Sequence, residues 1–342
     1  MNNQINILGI ETSCDDTSAA IISDGYILSN IIANQKVHEK YGGVVPELAS
    51  RAHMKNIIAV VDIAIKESGI KKADISAVSF TKGPGLLGSL IVGSSFAKSF
   101  ALAMNIPLIE INHMKGHIMA HFIKNIKKKE ENKHPNFPFL CLTVSGGHTQ
   151  IVLVKSINDM QVIGETLDDA AGEAFDKSAK ILGLPYPGGP LIDKYGQKGN
   201  KHKFTFGKHK VGKYDFSYSG IKTSILRVIE KEVKKNPNFI KENLEDLCAS
   251  IQHTIVAILI KKIKKTSSEL KINEIAIAGG VSANTYLRAQ LKNLEKEGKN
   301  IFIPKFEYCT DNAAMIAITG YYKYLEKMFS DQSVTPNSRL KI

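Results

Sequence analysis

The 342-residue sequence contains no tryptophan and four cysteines, and it shows no uninterrupted apolar run of the length that a membrane helix needs. The cysteines stand singly, without CxxC or CxH spacing, at Cys14, Cys141, Cys248 and Cys309. This spacing argues against a thiolate zinc site and against a disulfide framework, and it favours reduced thiols. No basic-then-apolar leader precedes the first apolar stretch, so we expect a cytoplasmic protein without a membrane anchor.

Acidic residues are fewer than basic ones, and the formal net charge is +12. The lysines cluster at 124–133, 198–213 and 231–241. Such patches can bind a polyanion by displacing its counterions, but lysine-rich helices and loops can equally be solvated surface. Charge alone therefore leaves nucleic-acid binding open.

The chain length indicates about two domains, and the pattern of segments repeats along it. A strand, a polar turn and a returning strand at 5–23 recur at 139–154, and helical patterns follow in both halves. The segment 124–138 is charged, lacks apolar periodicity and carries two prolines, which predicts a junction between domains. The sequence therefore predicts an α/β protein of two related domains with a cleft between them.

The last predicted helix begins near the C-terminal end of the sequence. It is expected over 311–327, with Thr310 and Asp311 as its capping residues. The residues from Ser330 onward are expected to fray.

Two histidines, His113 and His117, follow an apolar run at helical spacing. On a helix the i, i+4 spacing puts both imidazoles on one face, about 5 to 6 Å apart at Cβ, close enough to share a divalent metal. His121 would lie roughly 12 Å from His113 along the axis, too far to join both. Asp311 is the candidate third ligand. Two imidazoles and one carboxylate suit zinc and ferrous iron alike, and the alternative is a pair of half-buried histidines without a metal.

Small and polar residues form turns that suit a nucleotide. The glycines of the turn at 145–149 let backbone N–H groups approach phosphate oxygens, and the polar turn at 11–18 occupies the matching place in the first half. Each turn alone is equally compatible with an ordinary hairpin. Gly279 and Gly280 end a predicted strand, a place where nucleotides often bind, and Asn284 follows them.

Several acids are further candidates. Asp176 precedes a rigid Pro/Gly loop, where it either lines a pocket or pairs with Lys180. Glu11 and Asp15 are candidate catalytic bases because they lie on the first polar turn.

Eight blocks of sequence, in order along nearly the whole chain, resemble the bacterial TsaD family of tRNA N6-adenosine threonylcarbamoyltransferases. The blocks are GIETSCDDT (9–17), GPGL (83–86), NHMKGH (112–117), VSGGHT (144–149), AGEAFDK (171–177), FSYSGIKT (216–223), GGV (279–281) and DNAAM (311–315).

The resemblance implies an actin- and Hsp70-like (ASKHA) α/β fold of two related RNase H-like domains with an active-site cleft between them. The expected lobes are 1–123, completed by a last helix at about 311–328, and 139–310 with a helical insertion. The segment 124–138 would join them, and 330–342 would form a tail.

The implied activity is transfer of threonylcarbamoyl from threonylcarbamoyl-adenylate to N6 of adenosine 37, in tRNAs that read codons beginning with A, with release of AMP. The family's metal ligands fall on His113, His117 and Asp311, with Fe²⁺ as the expected ion and Zn²⁺ as the alternative. The implied partners are tRNA and the proteins TsaB and TsaE, with a TsaC-type enzyme supplying the adenylate. The substrate-binding positions of the family fall on Thr143, Val144, Ser145, Gly146, Gly147, Asp176, Gly189, Asp193 and Asn284.

Three other functions fit parts of the pattern. A metallopeptidase would use the paired histidines, but zincins carry a glutamate directly after the first histidine, where this chain has Met114. An ATP-dependent kinase or ATPase of the same fold would use the turns alone. A non-catalytic scaffold would bind tRNA through its lysines.

Overall fold

The computed structural model describes residues 4–35, 38, 41–126, 133–207 and 211–342. The chain divides into two compact units. The first comprises Met1–His134 and Pro304–Ile342, and the second comprises Pro135–Ile303. The lysine-rich stretches predicted at 124–133 and 198–213 fall partly outside the described residues.

The first unit contains a mixed five-stranded sheet. In spatial order its strands are β3 (Tyr26–Ala33), β2 (Thr17–Ser23), β1 (Asn6–Glu11), β4 (Ala77–Gly83) and β5 (Leu108–Asn112). The first three strands form an antiparallel meander, and β4 and β5 run parallel to β1. All residues of β1 and β2 are buried, because the sheet is covered on both faces, and this explains their nearly continuous apolar sequences.

Four helices pack on this sheet: α1 (Pro46–Ser68), α2 (Leu87–Met104), α3 (His113–Met119) and, from the end of the chain, the helix Ala313–Leu325. By length and composition alone, α2 is the single described helix that can cross a membrane. The predicted absence of an uninterrupted apolar run also holds for α2, because serines and Lys98 interrupt its apolar residues. Apolar core helices of soluble proteins meet the same criterion, and α2 packs against β4 and α1.

The second unit repeats the first sheet. Its strand order is β8 (Met160–Glu165), β7 (Thr149–Val154), β6 (Phe139–Val144), β9 (Glu274–Ala278) and β10 (Asn300–Phe302). Again three strands form an antiparallel meander and two run parallel to the central one. The predicted internal repeat and the α/β class are confirmed.

The helices of the second unit cover an apolar core centred on β6 and β9. They are α4 (Ala171–Ile181), α5 (Gly188–Gly196), α6 (Ser219–Val233), α7 (Phe239–Glu242), α8 (Leu244–Leu270) and α9 (Thr285–Lys292). The helix of the first unit at Ala313–Leu325 is then α10. The sequence analysis did not predict β8, α5 or α7: α5 was interpreted as a rigid loop, because Gly188, Gly189 and Pro190 open it.

The end of the chain corrects two predictions. Asn312, not Thr310 or Asp311, caps α10, since its side-chain oxygen accepts a hydrogen bond from the Met315 N–H at 3.0 Å. Asp311 therefore lies just before the helix. The residues from Ser330 onward are not frayed: they are hydrogen-bonded along β4 and β5, because the Ser330 N–H donates to Leu108 O at 2.8 Å and the Asn337 N–H to Lys82 O at 2.8 Å.

Helix α10 lies directly on β1 at Gly9. A Cβ at this glycine would lie 2.5 Å from Ala313 O and 2.7 Å from Ala317 N. Only a hydrogen at this position lets the helix backbone approach the strand so closely. The approach sets the position of the start of α10, next to Asp311.

We expect Gly9→Ala to lower the free energy of unfolding by roughly 1–3 kcal/mol, because the added methyl group would have to displace the helix backbone. Urea unfolding measures this change. Gly43→Ala is the matched control, since a Cβ there meets nothing within 4 Å. Equal losses of stability in the two variants would contradict the close approach.

Candidate metal centre and nucleotide pocket

The first unit brings together His113, His117 and Asp311. The two histidine rings lie edge to face on α3, with centroids 4.7 Å apart. Asp311 Oδ1 lies 3.3 Å from His113 Nε2 and 3.2 Å from His117 Nε2. One ligand atom from each residue lies within 4.8 Å of the others, which fits the donor set of a divalent metal.

Local sequence explains the placement of α3. Asn112, at the end of β5, caps the helix, because its Oδ1 accepts hydrogen bonds from the N–H groups of Met114 and Lys115. The helix starts directly at His113 and ends at Met119. His121 lies in the following 3₁₀ turn, Ala120–Phe122, outside the triad.

A buried acid lies behind His113. Glu11, at the end of β1, is fully buried, and its Oε2 accepts hydrogen bonds from His113 Nδ1 at 3.0 Å and from the Thr81 hydroxyl at 2.5 Å. Its other oxygen accepts the Ser13 N–H. These contacts position the His113 ring with Nε2 towards Asp311. The predicted use of Glu11 as a base stays untested, but its hydrogen bonds suit it to orienting His113.

The charges of this cluster shift one another's pKa values. Burial raises the pKa of Glu11, but the His113 imidazole more than offsets this effect and the net pKa is lowered. Burial lowers the pKa of His113, but Asp311 and Glu11 reverse this effect and hold it well above its ordinary value. Burial also raises the pKa of Asp311, yet the two histidines bring it far below its usual range. The two carboxylates thus favour the protonated form of His113, and a metal that binds its Nε2 competes with that proton.

His117 differs from His113. Its Nδ1 is buried and has no hydrogen-bond partner among the described residues. In the part of the chain that the structure describes, no acid accepts a hydrogen bond from this Nδ1 as Glu11 does from that of His113, so the two imidazoles are not equivalent ligands.

The predicted polar turn, observed at 12–16, is attached to neighbouring helices. The Thr12 hydroxyl donates to Ser89 O on α2 at 2.9 Å, and His53 Nε2 of α1 lies 3.0 Å from Cys14 O. Asp15, a predicted base, is half-buried here. Its neighbour Asp16 was missed in the sequence analysis. Burial, followed by the charges of Asp15 and Asp311, raises the pKa of Asp16 to about 7.

The second unit contains a pocket of about 260 Å³ that is lined by apolar residues, glycines and a few polar side chains. Five of the predicted substrate-binding residues line it: Gly146, Asp176, Gly189, Asp193 and Asn284. The other lining residues include Phe175, Pro190 and Val281. Apolar walls with a few polar groups suit a flat ring and its sugar.

The polar residues of the pocket also hold its walls. Asp176 Oδ1 accepts the N–H groups of Gly188 and Gly189 at 2.9 and 3.1 Å, rather than pairing with Lys180. Asp193 accepts hydrogen bonds from the N–H and hydroxyl of Thr285, and Asn284 caps α9.

Four predicted positions do not line this pocket: Thr143, Val144, Ser145 and Gly147. Thr143 and Val144 are buried in β6. Ser145 closes a hairpin, because its hydroxyl accepts the His148 N–H at 3.1 Å and its own N–H donates to His148 O. Gly147 is open, with nothing within 4 Å of a Cβ built there.

Comparison with known proteins identifies the family. A family profile described as TsaD, tRNA N6-adenosine threonylcarbamoyltransferase, matches residues 26–318. Proteins with this name are 60% identical in Christiangramia forsetii, over 99% of both chains, and 54% identical in Porphyromonas gingivalis, over 100% of both chains. The chain belongs to the tRNA N6-adenosine threonylcarbamoyltransferase family. The predicted resemblance is confirmed, and with it the classification as a transferase that modifies tRNA.

Solved structures of low identity share the fold of this family member. Full-length HypF in its phosphate- and nucleotide-bound form aligns with 96% of the chain and 48% of its own length, at 13% identity and a TM-score of 0.63. Component A of the Acidaminococcus fermentans (R)-2-hydroxyglutaryl-CoA dehydratase aligns with 94% of the chain and 99% of its own length, at 17% identity and a TM-score of 0.53. These likenesses support the predicted ASKHA-type fold.

We expect Glu11→Gln to weaken metal binding by about 10- to 100-fold, because an amide no longer offers two acceptor oxygens to Ser13, Thr81 and His113. Chelator competition measures the affinity, and the Nδ1 proton resonance of His113 reports the hydrogen bond directly. Asp62→Asn, at an exposed acid of α1, is the matched control. Wild-type affinity in Glu11→Gln would show that Glu11 does not support the centre.

Proposed function

We propose that this protein transfers the threonylcarbamoyl group from threonylcarbamoyl-adenylate to N6 of adenosine 37 of tRNA, with release of AMP. Membership of the family supports the reaction class. The observation that carries the proposal is the convergence of the His113 and His117 imidazoles with the carboxylate of Asp311, which lies nearly two hundred residues further along the sequence. These three residues would hold a divalent cation, which would supply positive charge next to an acyl donor.

The chemistry is limited by the nucleophile. The exocyclic amine of adenine is a weak nucleophile because its lone pair is delocalised into the ring. The acyl donor must therefore be made more electrophilic. A divalent ion held by His113, His117 and Asp311 supplies Lewis-acid polarisation and charge stabilisation when bound. Glu11 keeps the Nε2 of His113 directed towards that position.

Proton transfer falls to the polar turn. The amine loses a proton as the new bond forms, and Asp15 and Asp16 are the acids of this turn. Because its pKa is raised to about 7, Asp16 can take up and release a proton near neutral pH, and we propose it beside Asp15 as the acceptor.

We propose that the pocket of the second unit holds the adenosine part of the donor. The carboxylates of Asp176 and Asp193 can accept hydrogen bonds from ribose hydroxyls, and Phe175 and Val281 offer apolar contact to the base. We also propose that the two compact units are the two lobes of the predicted fold, with Pro304–Ile342 completing the first.

The ligand set is compatible with two metals. Two imidazole nitrogens and one carboxylate are suited to Fe²⁺ and also to Zn²⁺. We propose Fe²⁺ as the ion, following the resemblance to the family, and a cytoplasmic location alongside tRNA.

We propose that TsaB, TsaE and a TsaC-type enzyme act with this chain, and that TsaB covers an apolar face on α1 and α2. This α1–α2 face consists of Met54, Ile58, Leu87 and Ile91, with exposed fractions of 66, 69, 52 and 47%. On each helix the two side chains are one turn apart, and groups of exposed apolar side chains are typical of protein interfaces.

The nucleosides of modified tRNA test the reaction. We expect threonylcarbamoyladenosine, detected by mass analysis, when tRNA is incubated with this protein, its partners, threonine, bicarbonate and ATP. His117→Ala and Asp311→Asn should lower product by at least about 100-fold, because the first removes a ligand and the second replaces an anionic ligand with a weaker neutral one. His121→Ala, a histidine outside the triad, should retain activity. Full product from the ligand variants would refute the metal proposal, and hydrolysis of denatured proteins without tRNA modification would favour a peptidase.

Measuring TsaB binding tests the proposal that TsaB covers the α1–α2 face. We expect Ile58→Asp with Ile91→Asp to weaken TsaB binding by at least about tenfold, since charges would be buried against an apolar partner. Calorimetry measures the affinity. Leu167→Asp, at an apolar residue of the second unit that is 63% exposed, is the control. Unchanged binding of the double variant would place TsaB elsewhere.

A further inference from the structure

The last residues of the chain form a strap along the first sheet. Beyond Ser330 the backbone follows β5 and β4, where the Gly85 N–H donates to Ser338 O at 3.3 Å. Near its end the Asn112 side-chain amide donates to Lys341 O at 3.0 Å. Asn112 is also the residue that caps α3. The strap is thus fixed at the first turn of the helix that carries His113 and His117.

The strap and the sheet border a small, partly open cavity of about 180 Å³. Four lysines line it, Lys82 and Lys115 from the body of the unit, Lys323 from α10 and Lys341 from the strap. Glu110 is the one acid among its described lining residues, and its carboxylate lies 2.8 Å from Lys82 Nζ. Lysines therefore outnumber acids among the described residues that line this cavity.

Lys323 is destabilised in its charged form by burial and by the neighbouring lysines. Its ammonium group is half-buried and donates to the backbone oxygen of Glu110 at 2.8 Å. Burial lowers the pKa of Lys323; Glu110 partly opposes this effect, and the charges of Lys115 and Lys82 add to it. An anion in the cavity would relieve the repulsion between these ammonium groups.

We propose that this cavity, lined by Lys82, Lys115, Lys323 and Lys341, binds a phosphate group of the tRNA backbone. The proposal rests on the proposed function, since it names a contact of the same substrate. Asn112 and Lys115 belong to the cavity and to the start of α3 alike, so the cavity adjoins the metal centre within one unit. A tRNA whose adenosine reaches the histidines must bring neighbouring phosphates close to this helix, and ammonium groups are suited to holding them.

Lysine variants test the contact by direct binding of unmodified tRNA transcript to the full chain in the presence of its partners. We expect Lys341→Glu to weaken binding about fivefold at 0.15 M salt and to reduce the slope of log Kobs against log salt by about 1. Lys341→Arg, which keeps the charge, should bind as the wild type does. Lys71→Glu, at an exposed lysine elsewhere on the same unit, is the charge-matched control. The backbone oxygen used by Asn112 is retained in every variant at 341, and thermal unfolding checks that the strap stays in place.

Two further measurements separate the possible outcomes. In single-turnover transfer we expect Lys341→Glu to raise the tRNA concentration for half-maximal rate and to leave the saturated rate unchanged. An unchanged tRNA affinity and salt slope in Lys341→Glu would overturn the proposal. If that variant instead lost only the thermal stabilisation that inorganic phosphate gives the wild type, the ligand would be a free phosphate, and the tRNA assignment would be wrong. Failure of the wild type to form modified nucleoside would refute the proposed function, while the binding comparison would still decide on the cavity.

Discussion

The candidate metal centre depends on the direct contact between the backbone of α10 and β1. At Gly9 the strand has no side chain to separate the two elements, and Ala313 and Ala317 lie against it. Asp311 precedes this contact by two residues, and the Asn312 cap leads the chain from the ligand into the helix. A shift of α10 along or away from the strand would move a carboxylate that must stay within coordinating distance of two imidazoles.

The same strand holds the second support of the centre. Glu11 ends β1, two residues after Gly9, and its carboxylate holds the His113 ring from behind. One short strand thus positions a ligand from the end of the chain through packing and a ligand from α3 through a hydrogen bond. A buried carboxylate without a positive partner destabilises the folded protein. Glu11 therefore needs the His113 imidazole as its partner, while His113 needs Glu11 to fix the orientation of its ring. Among the described residues His117 has no such acid behind it, and it is held by the packing of α3 and by its contact with Asp311.

Much of this architecture could be predicted from the sequence, because its signals are local or repeated. The i, i+4 histidines, the strand–turn–strand repeat and the long periodic helices follow from spacing. Helix α5 was missed because glycines and proline at its start are typical of loops, and β8 because its buried residues, Met160 and Gly164, do not alternate cleanly. The role of Glu11 and the raised pKa of Asp16 depend on neighbours distant in sequence, such as Thr81 and Asp311, which no local pattern specifies. The end of the chain was misjudged for the same reason: its backbone partners lie more than two hundred residues away.

The strap also covers the edge of the first sheet at β5. Strand β5 is the last of its sheet, and its outward backbone groups would otherwise be open to pairing with another chain. The Ser330 N–H donates a hydrogen bond to Leu108 O, and the Ser330 hydroxyl accepts one from the Glu110 N–H. The residues from Ser330 onward therefore cover an edge strand that could otherwise pair with a strand of another chain. Residues without a catalytic group thus contribute to solubility at high concentration and to correct assembly with other proteins.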